Sequence, residues 1–221
     1  MRVILFGATG MVGAGALIEC LADNRVTAVV SVSRRPTGVV HPKLREVLHG
    51  DFFNYSAIRS EFTGVDACLF TLGVSAVGKS EPDYSHLTFD LTLAAATAIV
   101  AESPHATFSY VSGMGTDSTE HGRVMWARVK GKTENALLTL PFRAAYMFRP
   151  GFIQPMKGVQ SSFRLYRAAY VVTTPFFPLL RTLFPRFVTT SEKVGRAMIN
   201  VSDTGYPKRI LESDDINRAS G

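Results

Sequence analysis

Gly7, Gly10 and Gly13 recur at spacing three in Gly7-Ala8-Thr9-Gly10-Met11-Val12-Gly13, directly behind the apolar run Val3 to Phe6. Residues of these types in this order can hold a phosphate. The apolar run suits a strand buried on both faces. A glycine at 7 permits a tight turn, one at 10 lets a pyrophosphate touch backbone, and one at 13 lets the next helix pack close to the strand. The N–H groups and positive dipole end of that helix, expected over Ala14 to Ala22, then face the phosphates. The alternative is a tight strand-to-helix turn that binds nothing. Arg2 followed by apolar and then small residues also looks like a signal peptide, but the glycine spacing accounts for the same residues better.

The second expected strand, Ala28 to Ser33, runs into Arg34-Arg35-Pro36. About twenty residues past such glycines an acidic residue usually takes the ribose 2′-hydroxyl of NAD. No acid stands here. Two guanidinium groups suit a 2′-phosphate instead, which points to NADP(H) with NAD the less expected cofactor. The competing reading is a solvated turn with two surface arginines.

The remaining elements must bring these groups together. Strands are expected over Leu44 to Leu48, Asp66 to Leu72, Thr107 to Ser112, Ala144 to Phe148 and Lys208 to Glu212. Helices are expected over Ser56 to Phe62, Asp83 to Glu102 and Arg123 to Leu140, with Ser80 and Asp83 at one start. A further helix, Ser191 to about Val201, would be capped by Thr189 and Glu192, ahead of a charged end from Asp214 to Arg218. Strands alternating with helices argue for an α/β, doubly wound parallel sheet, whose ligands lie beyond the strands' C-terminal ends. Gly7, Arg34, Asp51, Gly73, Ser112 and Gly151 all fall at such ends. Asp51 and Phe52 are expected to bind and cover an adenine. Leu72, Gly73 and Val74 lie where the ribose and second phosphate would pass.

The chain has 221 residues, 46% apolar and 19% charged, with a formal net charge of +6. That fits one domain of ordinary globular composition: residues 1–155 as cofactor-binding core, 156–221 as a small C-terminal, substrate-side extension. No basic run is long enough for a nucleic-acid arm. Cys20 and Cys68 fit no zinc spacing, so no metal is expected and both read as reduced core thiols of a cytoplasmic protein. Phe163 to Phe187 is aromatic, proline-broken and dotted with arginines. Its apolar part is too short to span a membrane. It is expected to cover the substrate pocket or form a subunit contact, with attachment to a membrane surface the lesser alternative.

Taken together, the glycine run, Arg34-Arg35, Gly50-Asp51-Phe52, Ser112, Lys130 and Arg149-Pro150-Gly151 resemble the short-chain dehydrogenase/reductase superfamily. The likeness is to its atypical branch, including Tat-interacting-protein-like oxidoreductases and epimerase/dehydratase-like proteins. It runs from residue 1 to about 155, and more weakly to the end. The resemblance implies a Rossmann-like fold, hydride transfer to or from a nicotinamide, and a small organic substrate. It gives Ser112 a hydrogen bond to the reacting oxygen, Lys130 the nicotinamide ribose, and Pro150, Gly151 and Phe152 a place against the cofactor. The family's proton-transferring Tyr, four residues before the Lys, is Trp126 here. An indole N–H donates but does not titrate usefully. Asp117, Glu120, His121 or Tyr110 would then supply the proton, or the chemistry needs little acid help. Otherwise the protein is a catalytically weak cofactor-binding regulator.

Overall fold

The computed structural model describes residues 1–154 and 187–221. Strands β1 (Arg2–Phe6), β2 (Ala28–Ser33), β3 (Leu44–Leu48), β4 (Ala67–Phe70), β5 (Thr107–Val111), β6 (Ala144–Arg149), β7 (Phe152–Gln154), β8 (Val188–Thr190) and β9 (Ile210–Glu212) are joined by helices α1 (Met11–Ala22), α2 (Glu81–Ser85), α3 (Leu91–Glu102), α4 (Met125–Thr139), α5 (Ser191–Thr204) and α6 (Ser213–Ala219). Seven strands form one parallel sheet in the order β3-β2-β1-β4-β5-β6-β9. The chain leaves β1 toward β2 on one side and returns to β4 on the other. The crevice that binds ligands in such sheets opens where that order reverses.

Alternation along the strands sorts the core into two layers. Val3, Leu5 and Leu69 face α1, α5 and α6, with Leu17, Val194, Met198 and Ile216 among their neighbours. Ile4, Phe6, Cys68 and Phe70 face the other way, with Ala95, Ile99, Phe108 and Leu137. A strand covered on both faces must be apolar throughout, as Val3 to Phe6 are. Both cysteines are free and buried, and burial pushes the Cys20 thiol up to about 12.

Three sequence expectations are corrected, and one element is new. Helix α1 begins at Met11, because Gly13 and Gly15 enter it to meet close neighbours. The long helix from Asp83 is divided into α2, a π turn at His86–Asp90, and α3. Thr190, not Thr189, caps α5 by accepting from the Lys193 N–H at 3.2 Å. The small parallel sheet of β7 and β8 was not anticipated. Most of the Phe163 to Phe187 segment lies outside the described residues.

Candidate functional site

The turn after β1 is built by close approach. Gly7 has φ +84°, and a Cβ there would stand 2.8 Å from Leu72 N and from Thr71 Oγ1. A Cβ on Gly13 would lie 2.0 Å from the Gly7 carbonyl oxygen. The Thr71 hydroxyl donates to the Phe6 carbonyl at 2.6 Å and pins the end of β4 against the turn. Gly10 is the helix N-cap, with no side chain capping the helix there. The Ala14 N–H is bonded to the Gly10 carbonyl at 2.8 Å, leaving Met11, Val12 and Gly13 as the opening turn. An anion can therefore reach backbone N–H groups at the positive end of α1. These residues fit the diphosphate of a dinucleotide.

A cleft of about 690 Å³ begins at this turn and is lined by Gly10, Met11, Val12, Thr71 to Ser75, Val111 to Met114, Lys130, Pro150 to Ile153 and Phe187. The β5–β6 pairing continues past the strands to shape its far wall: the Ser112 N–H donates to Phe148 and the Met114 N–H to Pro150. Helix α4 reaches that wall because Gly131 has no side chain. A Cβ there would lie 1.7 Å from the Asp117 carbonyl oxygen. The approach lets the Lys130 ammonium donate to the Ser112 carbonyl. Burial lowers the Lys130 amine to about 8, against a smaller upward pull from Glu134.

Behind the cleft lies a charged network that sequence reasoning missed. Glu134 is fully buried. Its carboxylate accepts from Arg149, including Nε at 3.1 Å, and from the Ser112 hydroxyl. Arg149 also meets Glu212 at 3.7 Å. The available signal was spacing: Trp126, Lys130 and Glu134 share one face of α4. Valence is distributed accordingly. Ser112 has one proton and two acceptors behind the cleft, Glu134 and the Phe148 carbonyl at 3.1 Å, so toward the cleft its oxygen is left to accept.

The other expected site residues are dispersed. Arg34 and Arg35 are exposed at the end of β2, where Ser33 Oγ donates to the Arg35 carbonyl at 2.7 Å. Ala8 is buried and Thr9 exposed in the glycine turn. Asp51 is exposed and accepts from the Phe53 N–H at 3.0 Å. Phe52, expected beside an adenine, has its ring buried edge-on to Phe6 at 6.4 Å and to Tyr55 at 6.3 Å.

Trp126, expected in the catalytic group, is not among the described residues that line the cleft. Its Cη2 lies 3.6 Å from where a Gly115 Cβ would stand. The surrogate acids are elsewhere too. Burial pushes the Tyr110 phenol well above its usual range, and its ring packs on Phe70 at 6.1 Å. The Asp117 carboxylate is held low by Thr119 and the Gly122 N–H in its own loop. Glu120 accepts from Asn135 at 2.7 Å, and His121 is exposed.

Residues 7–138, more than half of the chain, match a family model described as NAD(P)H-binding. The chain is 26% identical over 208 residues to Protein FMP52, mitochondrial, of Debaryomyces hansenii, covering 91% of this chain and 88% of that protein. It is 31% identical over 174 residues to Leucinostatins biosynthesis cluster protein T of Purpureocillium lilacinum, covering 75% of this chain and 62% of that one, so it spans less than two thirds of this relative. Among solved structures, an oxidoreductase of the short-chain dehydrogenase/reductase family from Burkholderia thailandensis superposes with TM-score 0.71 at 14% identity, covering 97% of this chain and 92% of that one. A dTDP-glucose 4,6-dehydratase from Streptomyces venezuelae, with NAD bound, gives 0.68 at 15% identity, covering 98% and 79%.

One expectation is overturned by these relatives. Several are named mitochondrial, which points away from a purely cytoplasmic location. Among the described residues no helix is long and apolar enough to cross a membrane. The fold, the glycine turn and the family match agree: the chain belongs to the NAD(P)H-binding family, on a Rossmann-like fold.

Proposed function

We propose that the protein binds NADP(H) in this cleft and acts as an oxidoreductase on a small organic substrate. The carrying observation is the convergence, in one cleft, of the α1 N-terminus with Ser112 and Lys130. When bound, the cofactor supplies the hydride donor or acceptor. The chain's own residues do the rest. Met11, Val12 and Gly13 offer backbone N–H groups to phosphate. Arg34 and Arg35 favour a 2′-phosphate over a bare hydroxyl. Lys130 brings a cation to the cleft wall. Val74, Met114, Phe152 and Phe187, each more than a third exposed, give the opening an apolar border. That border favours a substrate with an apolar portion beside its reacting carbon.

Calorimetry with NADPH and NADH tests the cofactor choice. NADPH is expected to bind more tightly, and the preference to disappear when both arginines become alanine. Equal affinities in the intact protein would overturn it. A panel of aldehydes and ketones with NADPH, followed by absorbance, tests the reaction.

A second reading is favoured by Trp126 and by the engagement of the Ser112 proton with Glu134: a cofactor-binding regulator with little turnover. NADPH binding with no oxidation across the panel would select it.

A further inference from the structure

Reduction of a carbonyl requires a proton at its oxygen, and the oxidoreductase reading on which this inference rests leaves the donor unassigned. Among the described residues that line the cleft, Lys130 is the one ionisable side chain. The protons of two hydroxyls there are committed: Thr71 donates to Phe6, and Ser112 donates to Glu134 or to the Phe148 carbonyl. Ser75 Oγ accepts from the Val77 N–H at 3.2 Å and is a neutral hydroxyl rather than an ionisable acid. The Lys130 ammonium has three protons, and the Ser112 carbonyl takes one.

We propose that Lys130 itself is the proton donor, and that Glu134 is a positioning residue which holds the Ser112 proton away from the reacting oxygen. The carbonyl carbon gains a hydride from a reduced nicotinamide, the reductant. The C=O electron pair moves to oxygen. One N–H bond of the Lys130 ammonium breaks as the new O–H bond forms, and the neutral amine regains its proton from water. The Ser112 oxygen, able only to accept, then receives a hydrogen bond from the alcohol product.

The charged surroundings support this role. Glu134, one turn along the same helix, faces the amine but is already bonded to Arg149 on β6 and to Ser112 on β5. Glu212, ahead of α6, lies beyond Arg149. The α1 end and the loop after β4 bring no ionisable side chain to the cleft among the described residues. Burial therefore dominates and brings the amine to about 8, close to the pH at which an acid works best.

The decisive variant is Lys130→Arg, which keeps the cation but has no proton to release near neutrality. We expect kcat for NADPH-dependent reduction to fall by about 10²–10⁴-fold, with NADPH affinity kept within about tenfold. Wild-type kcat should be level at low pH and fall as pH rises through about 8, because the donor must be protonated. A readout independent of turnover is amine acylation with acetic anhydride, followed site by site by mass spectrometry. Lys130 should titrate near 8, against about 10.4 for ordinary lysines, and NADPH should slow its modification. Full activity in Lys130→Arg, or acylation with an ordinary lysine profile, overturns the proposal while leaving the oxidoreductase reading intact. NADPH binding with no wild-type turnover overturns both.

Discussion

The two walls of the cleft are built on opposite principles. At the β1–α1 turn, function lies in side chains that are absent. Gly7, Gly10 and Gly13 bring backbone within reach of backbone, and the helix end presents its N–H groups. At the β5–α4 wall, function lies in side chains that are present: Lys130 and Ser112 lining the cleft, with Glu134 and Arg149 behind them. A wall of bare backbone fails by collision, and any added carbon is felt. A wall of side chains fails by loss of partners, and a replacement that restores the partner is tolerated. The first wall suits a ligand shared by many proteins, whereas the second can vary with its side chains.

The difference sets the scale of substitution effects. The largest is expected at Gly13. Valine there drives carbon into the Gly7 carbonyl, which a Cβ would approach to 2.0 Å. Thermal unfolding should show a loss of more than about 4 kcal/mol, or no folded protein. A folded Gly13→Val variant of normal stability would contradict the close-packed turn.

Glu134→Ala comes next. It strips from Arg149, whose side chain is 11% exposed, its buried carboxylate partner, leaving Glu212 at 3.7 Å and the Ser118 hydroxyl at 2.5 Å. Breaking a buried pair in this way costs about 3–5 kcal/mol. Glu134→Gln, which can still accept from Ser112 and Arg149, should recover a large part of that in denaturant titration. Equal losses for Ala and Gln would mean that volume, not hydrogen bonding, is what Glu134 supplies.

The smallest effect is expected at Trp126. With Lys130 as donor, Trp126→Tyr should change NADPH-dependent reduction by less than about tenfold, well below the 10²–10⁴ that a missing acid would restore. A gain of that larger size would show that the β5–α4 wall had lost its donor rather than reassigned it.

The same contrast explains what the sequence revealed. The central strands β1, β4 and β5 were legible because doubly buried strands are largely apolar runs bounded by turn residues. Gly7 and Gly13 announced the turn because only one residue type fits there. The start of α1 was misplaced because glycine lowers helix propensity, and tertiary packing against Thr71 and α5 overrode it. β7 and β8 were missed because three-residue strands paired across more than thirty positions carry no local signal. Nothing local marks Glu134 as buried within the expected helix Arg123 to Leu140; its burial depends on Arg149 arriving from the next strand. Phe52 and Phe53 are adjacent aromatics, and spacing alone did not say which one turns inward.

The most direct test of the central assignment is calorimetric titration of NADPH into wild type and Gly10→Val. Position 10 has φ −88°, and a Cβ there would meet only the Gly7 carbonyl oxygen, at 3.2 Å. The variant should therefore fold with a melting temperature near wild type, yet its branched side chain would occupy the mouth of the α1 N-terminus. NADPH affinity should fall by at least about a hundredfold, roughly 2.7 kcal/mol. A folded Gly10→Val variant that binds NADPH as wild type does would place the cofactor elsewhere and contradict the account.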